Sequence, residues 1–102
     1  MDSDFIKMKI ILKNTFRYQF KKPWTLCLEY DQNISSWIIS NEDASVYGYG
    51  GTWTEALVDF DIGIQSWEAS FINFPRPEQH TADSVATMHQ ILDHVNMKVS
   101  LA

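Results

Sequence analysis

From Ile6 the chain alternates: Ile6, Met8, Ile10 and Leu12 are separated by Lys7, Lys9 and, with one apolar exception at Ile11, Lys13. A two-residue period is that of a strand with one buried face. The alternation continues through Phe16, Tyr18 and Phe20, with Arg17 and Gln19 between them, and Pro23 is expected to interrupt pairing there. A second strand is predicted where Trp24, Leu26, Leu28 and Tyr30 alternate with Thr25, Cys27 and Glu29. "DQNIS" has turn chemistry, "SWIISNE" reads as the return strand of a hairpin, and "ASVYGYG" as a short further strand. Connections this short join antiparallel neighbours.

At Thr52 the period changes. Trp53, Ala56, Leu57, Phe60, Ile64, Trp67 and Phe71 fall three or four apart, the stripe of an amphipathic helix. Thr52 and Glu55 have the spacing of a capping box, in which each side chain satisfies the other residue's backbone N–H. Glu55, Asp59 and Asp61 fall near the positive end of that helix. Gly63 costs about 1 kcal/mol relative to Ala in a helix interior, and close packing on the sheet is the expected reason for it. "FPRPE" ends the helix. Thr81 then caps a shorter helix over 81–96 whose stripe is Val85, Met88, Leu92 and Val95. The expected fold class is α+β: an antiparallel sheet of three to five strands packed on one long helix, with a short C-terminal helix. One domain is expected for 102 residues, with extra N-terminal strands over 5–22 and a core over 24–74.

Composition adds aromatic weight: six Phe, four Trp and four Tyr can build a core without staples. The single Cys27 cannot form an internal disulfide. With no membrane-length apolar run and no secretory signal at the start, a cytoplasmic protein is expected. The charge is unevenly placed. Residues 1–22 hold six basic side chains against two acids, or +4; the remainder holds two against eleven, or −9, together the −5 of the chain. An acidic body of this kind attracts a basic protein partner and opposes nucleic-acid phosphates. The basic N-terminal segment leaves an RNA or small-ligand alternative.

The run "GYGGT" tempts a phosphate-binding reading, but it has neither the P-loop spacing nor a following lysine. The simpler reading is a structural joint in which Gly50 and Gly51 adopt backbone angles that a β-carbon forbids. His89 and His94 are five apart and so lie on different helix faces; with His80 they read as surface histidines, and no metal or cofactor is expected. Cys27, in mid-strand, reads as a small half-buried thiol. No set of nucleophile, base and oxyanion donor assembles from these residues, so a non-enzymatic protein is expected.

The segment from Trp24 to about Phe71, and above all "YGYGGTWTEALVDF", resembles the HicB family of antitoxins. The matching positions are Gly50, Thr52, Glu55, Ala56 and Leu57, where a strand, a glycine and a threonine precede Glu-Ala-Leu. The tail "PRPEQHTADSVATMHQIL" is similar to solo HicB-like proteins. The resemblance implies a β-β-β-α domain, partly like a double-stranded-RNA-binding fold, that self-associates and covers a small basic ribonuclease toxin. A DNA-binding C-terminal domain is not expected, with 25 residues after Pro77. Asp59, Asp61 and Glu68 on the helix, with Tyr47 and Tyr49 on the preceding strand, are the expected partner-binding residues. An immunity protein for a secreted nuclease and an orphan homo-oligomeric interaction module are the alternatives.

Overall fold

A computed structural model describes residues 5–41 and 43–99. Four strands, β1 (Phe5–Asn14), β2 (Gln19–Asp31), β3 (Ser36–Asn41) and β4 (Val46–Gly50), form one antiparallel sheet in the order β1-β2-β3-β4. Two helices follow, α1 (Trp53–Asn73) and α2 (Ala82–His94), separated by a 3-10 turn at Pro77–Gln79. The α+β class and the strand-to-helix order agree with the sequence pattern.

Register divides the sheet into two faces. Met8, Leu28, Ile39 and Gly48 lie in one row, and Lys9, Cys27, Ser40 and Tyr47 in the next, on the opposite face. α1 packs on the first face, chiefly over β4 and β3, while α2 covers the Phe20–Trp24 end of β2. Between these layers lies the core: Phe20, Trp24, Leu26, Ile39, Phe60, Ile64, Met88, Ile91 and Val95 are all buried. Trp24 is its hub, edge-on to Phe20 and Phe60 with ring centroids 5.5 and 6.1 Å away. Such edge contacts are the favoured aromatic geometry.

Several expectations are corrected. Pro23 interrupts pairing as expected, since residues 20–23 have no partner on β1, but the interruption is not a strand boundary: β2 runs on through it. The pairing slips between Leu12↔Trp24 and Asn14↔Gln19, a bulge that removes the demand for an N–H at Pro23, and β3 joins β2 only from Cys27 onward. Phe16 and Arg17 do not continue a strand but form the β1–β2 turn, closed by the Thr15 amide donating to the Tyr18 carbonyl at 2.9 Å. Trp53 is 53% exposed, because α1 begins beyond the end of β4 and has no sheet beneath its first residue. α2 ends at His94, two residues short of the expected end; its buried residues are Thr87, Met88 and Ile91, with Val85 and Leu92 half-buried, and Val95 is buried just beyond it, bridged to Phe20. The expectation for the Ile6 side chain lies outside the described residues.

Candidate functional site

The glycine joint has a different origin from the one expected. None of the four glycines has positive φ; the left-handed residues are Ser35 (φ 50°) and Ser45 (φ 52°), at the turns before β3 and β4. What β4 needs is the absence of side chains beneath the helix. A β-carbon on Gly48 would overlap the Ala56 carbonyl and the Phe60 amide, and would lie 2.7 Å from Phe60 Cα. One on Gly50 would sit 2.5 Å from both the Ala56 nitrogen and Glu55 Cβ. These two glycines let the backbone of α1 rest directly on β4. Gly51 is not part of that contact, its nearest neighbour being the Glu55 carboxylate at 3.2 Å. Gly63 faces Val46 and the Tyr47 carbonyl, as close packing on the sheet requires.

At the joint the capping box closes as its spacing predicts. The Glu55 amide donates to Thr52 Oγ1, and the Thr52 amide to Glu55 Oε1, each at 3.1 Å. Both acceptors are thereby committed to helix initiation rather than to a ligand.

The acids assigned to partner binding are largely occupied within the fold. Asp61 is a correction: it is 1% exposed, buried under the β1–β2 turn, where it cannot reach a partner. Its Oδ2 accepts the Arg17 amide at 3.1 Å, while Oδ1 has no hydrogen-bond partner. Burial pushes its pKa up; the nearby Thr15 hydroxyl and the amides of Arg17 and Phe16 pull the other way without cancelling that cost. Helical spacing cannot reveal this, because it is the returning hairpin turn that covers the residue. Glu68 accepts from the Tyr18 hydroxyl at 3.1 Å and from the Lys98 amide at 3.3 Å. Burial and then the Glu68 carboxylate push the Tyr18 phenol up to about 12. Asp59 accepts the Tyr49 amide at 2.9 Å, so α1 blunts the outer edge of β4, a common protection for an edge strand.

Tyr47 and Tyr49 do stand free, 44% and 51% exposed, on the sheet face opposite α1. That face has no helix on it. Across it, between β1 and β3, runs a shallow depression of about 620 Å³ lined by Lys7, Lys9, Thr25, Cys27, Ser40 and Asp43. Cys27 is half-buried there, with Lys9 and Ser40 as its cross-strand neighbours. Neither is an imidazole or carboxylate base placed to activate it. Met8, Leu26 and Asn41 complete its lining, so the depression mixes apolar and polar groups beside two tyrosines.

The histidines are less superficial than expected. His89 is exposed, but His80 stacks on Phe71 at 3.8 Å between centroids and His94 on Trp24 at 4.9 Å. Sequence spacing carries no sign of either stack, since each partner lies on another element. Among the described residues no three His, Cys, Asp or Glu side chains gather to hold a metal, and no helix is long and apolar enough to cross a membrane. No protein-family model, curated protein or solved structure matches this chain.

Proposed function

We propose that this chain is a HicB-like antitoxin-type protein that neutralises a small basic toxin, of ribonuclease class, by binding it directly. The observation that carries the reading is the β4–α1 joint. Of the residues on which the family resemblance rests, Gly50, Thr52, Glu55 and Ala56 meet in one geometry there, a glycine strand beneath a box-capped helix, and Leu57 is buried in the core one residue on. Charge supports it. Beyond residue 22 the chain carries eleven acids and two bases, a field that accelerates encounter with a basic protein. The contact surface is the β4 edge of the helix-free face, with Tyr47 and Tyr49 as aromatic anchors, at the far side of the sheet from Lys7 and Lys9 on β1. Neutralisation is by occlusion and requires no catalytic group.

The test is co-expression. A small basic protein encoded beside this gene is expected to arrest growth alone and to be silenced by this chain, through a complex that survives purification. The double variant Tyr47→Ala, Tyr49→Ala is expected to keep its fold and lose at least tenfold in affinity, about 1.4 kcal/mol. A non-toxic neighbour, or no complex, overturns the antitoxin reading and leaves the orphan interaction module. A toxin exported from the cell makes this chain an immunity protein instead.

A further inference from the structure

The two edges of the sheet are finished differently. The outer edge of β4 is held by α1, through the Tyr49 amide and Asp59. The outer side of β1 pairs with nothing among the described residues. At 10 residues β1 is longer than most strands, and from Phe5 to Leu12 its register on β2 is unbroken. A flat edge of this kind offers a row of N–H and C=O groups as a template for another strand. Its side chains divide by face. Lys7, Lys9 and Ile11 stand across from Glu29, Cys27 and Thr25 on the helix-free face, and Lys13 follows at the bulge. Met8 lies on the other face, but α1 packs over β4 and β3 and α2 over β2, so neither helix covers β1 there. Met8 and Ile11 are accordingly 45% and 67% exposed. Lysines by themselves guard an edge against chance pairing; uncovered apolar side chains on both of its faces do the opposite.

We propose that β1 is a strand-addition site that takes an extended, acidic, amphipathic segment of a partner protein. In such docking the backbone pairing supplies affinity and alternate side chains supply the choice of partner. Directly opposite residues of paired strands lie about 5 Å apart. Acids two residues apart on the incoming strand therefore meet Lys7 and Lys9, an apolar side chain meets Ile11, and a third acid nears Lys13. On the other face an apolar residue covers Met8. Glu29 is half-buried behind Lys7, and Asp43 lies across the depression, but the charged side chains of β1 itself are all lysines. A second copy of this chain is a poor occupant. β1 against β1, in any register that keeps the faces of the sheet continuous, gathers the lysines of both copies on one strip, where like charges oppose pairing. The incoming strand is foreign and acidic. Its site is at the opposite edge of the sheet from Tyr47 and Tyr49, so one chain has room for a basic partner at β4 and an acidic one at β1.

The probe is a synthetic peptide of alternating Glu and Val, as long as β1. On its addition at low salt, amide hydrogen exchange is expected to slow at every second residue of β1, those whose N–H points away from β2, with β4 unchanged. Added salt should weaken the effect by screening the lysines. Two controls are expected to leave exchange unaltered: the Lys-Val counterpart, and the fully N-methylated Glu-Val peptide, which has no N–H to donate. Lys9→Glu with Lys13→Glu, neither of which faces a carboxylate across β2, is expected to lower affinity by roughly tenfold or more. Should that variant misfold, the peptide controls decide on the unaltered chain. No slowing at millimolar peptide, equal slowing by the Lys-Val peptide, or displacement of the peptide by oligouridylate at lower concentration overturns the proposal. Protection of the same amides that rises with protein concentration alone makes the occupant a second copy, and overturns it too. Each readout concerns β1, and the toxin reading at β4 stands or falls by its own test.

Discussion

The amide of Arg17 donates to Oδ2 of Asp61 at 3.1 Å, joining the β1–β2 turn to the middle of α1 across 44 positions of sequence. Sheet and helix are tied by a carboxylate that the helix pattern alone assigns to the surface, and the tie has a pH signature. Because burial raises the Asp61 pKa, the folded chain binds more protons than the unfolded one between about 3.9, the unfolded value, and the folded pKa. Stability from this group therefore falls as pH rises through that window. Asp61→Asn is expected to flatten that part of the profile and to match or exceed the parent's melting temperature at neutral pH. Asp61→Ala, which leaves the part-buried Arg17 amide without this acceptor, should cost about 1 kcal/mol or more. Parallel melting profiles for Asp61→Asn and the parent would contradict the assignment.

Tyr18 gives a spectroscopic counterpart. With its pKa pushed up to about 12, the folded state binds the extra proton between the ordinary tyrosine value near 10 and 12. Stability contributed by the Tyr18–Glu68 contact is lost as pH rises across that range. An alkaline titration of tyrosinate absorbance should show a late phase from Tyr18. Its loss in Tyr18→Phe identifies it.

The glycines of β4 separate close approach from backbone angle. Gly48→Ala places a β-carbon against helix backbone that no rotamer change can move, so a loss of about 3 kcal/mol or failure to fold is expected. Gly51→Ala meets only the carboxylate of Glu55, at 3.2 Å and not backbone, at a φ that alanine accepts. It should shift stability by no more than about 1 kcal/mol, in either direction. Equal sensitivity of the two positions in denaturant titrations would restore the backbone-angle explanation.

Thr52→Ala removes the acceptor for the Glu55 amide and should cost about 1 kcal/mol. Glu55→Gln, which keeps an acceptor for the Thr52 amide, should cost less. Urea midpoints measured side by side give the order.

The elements themselves were legible because each depends on residues near in sequence. The alternation of Trp24 to Tyr30, the Asp31–Ser35 turn, the three-to-four spacing from Ala56 to Phe71 and the Thr52 and Thr81 caps are local rules, and they hold here. The tertiary structure alone decided the meaning of residues whose partners are distant. It carried β2 through Pro23 by a bulge, seated α1 on Gly48 rather than turning at Gly51, and drew Asp61 and Glu68 inward from a helix face that periodicity leaves in solvent. The reason is physical: helix and strand periods say which way a side chain points, whereas burial depends on what another segment brings to meet it.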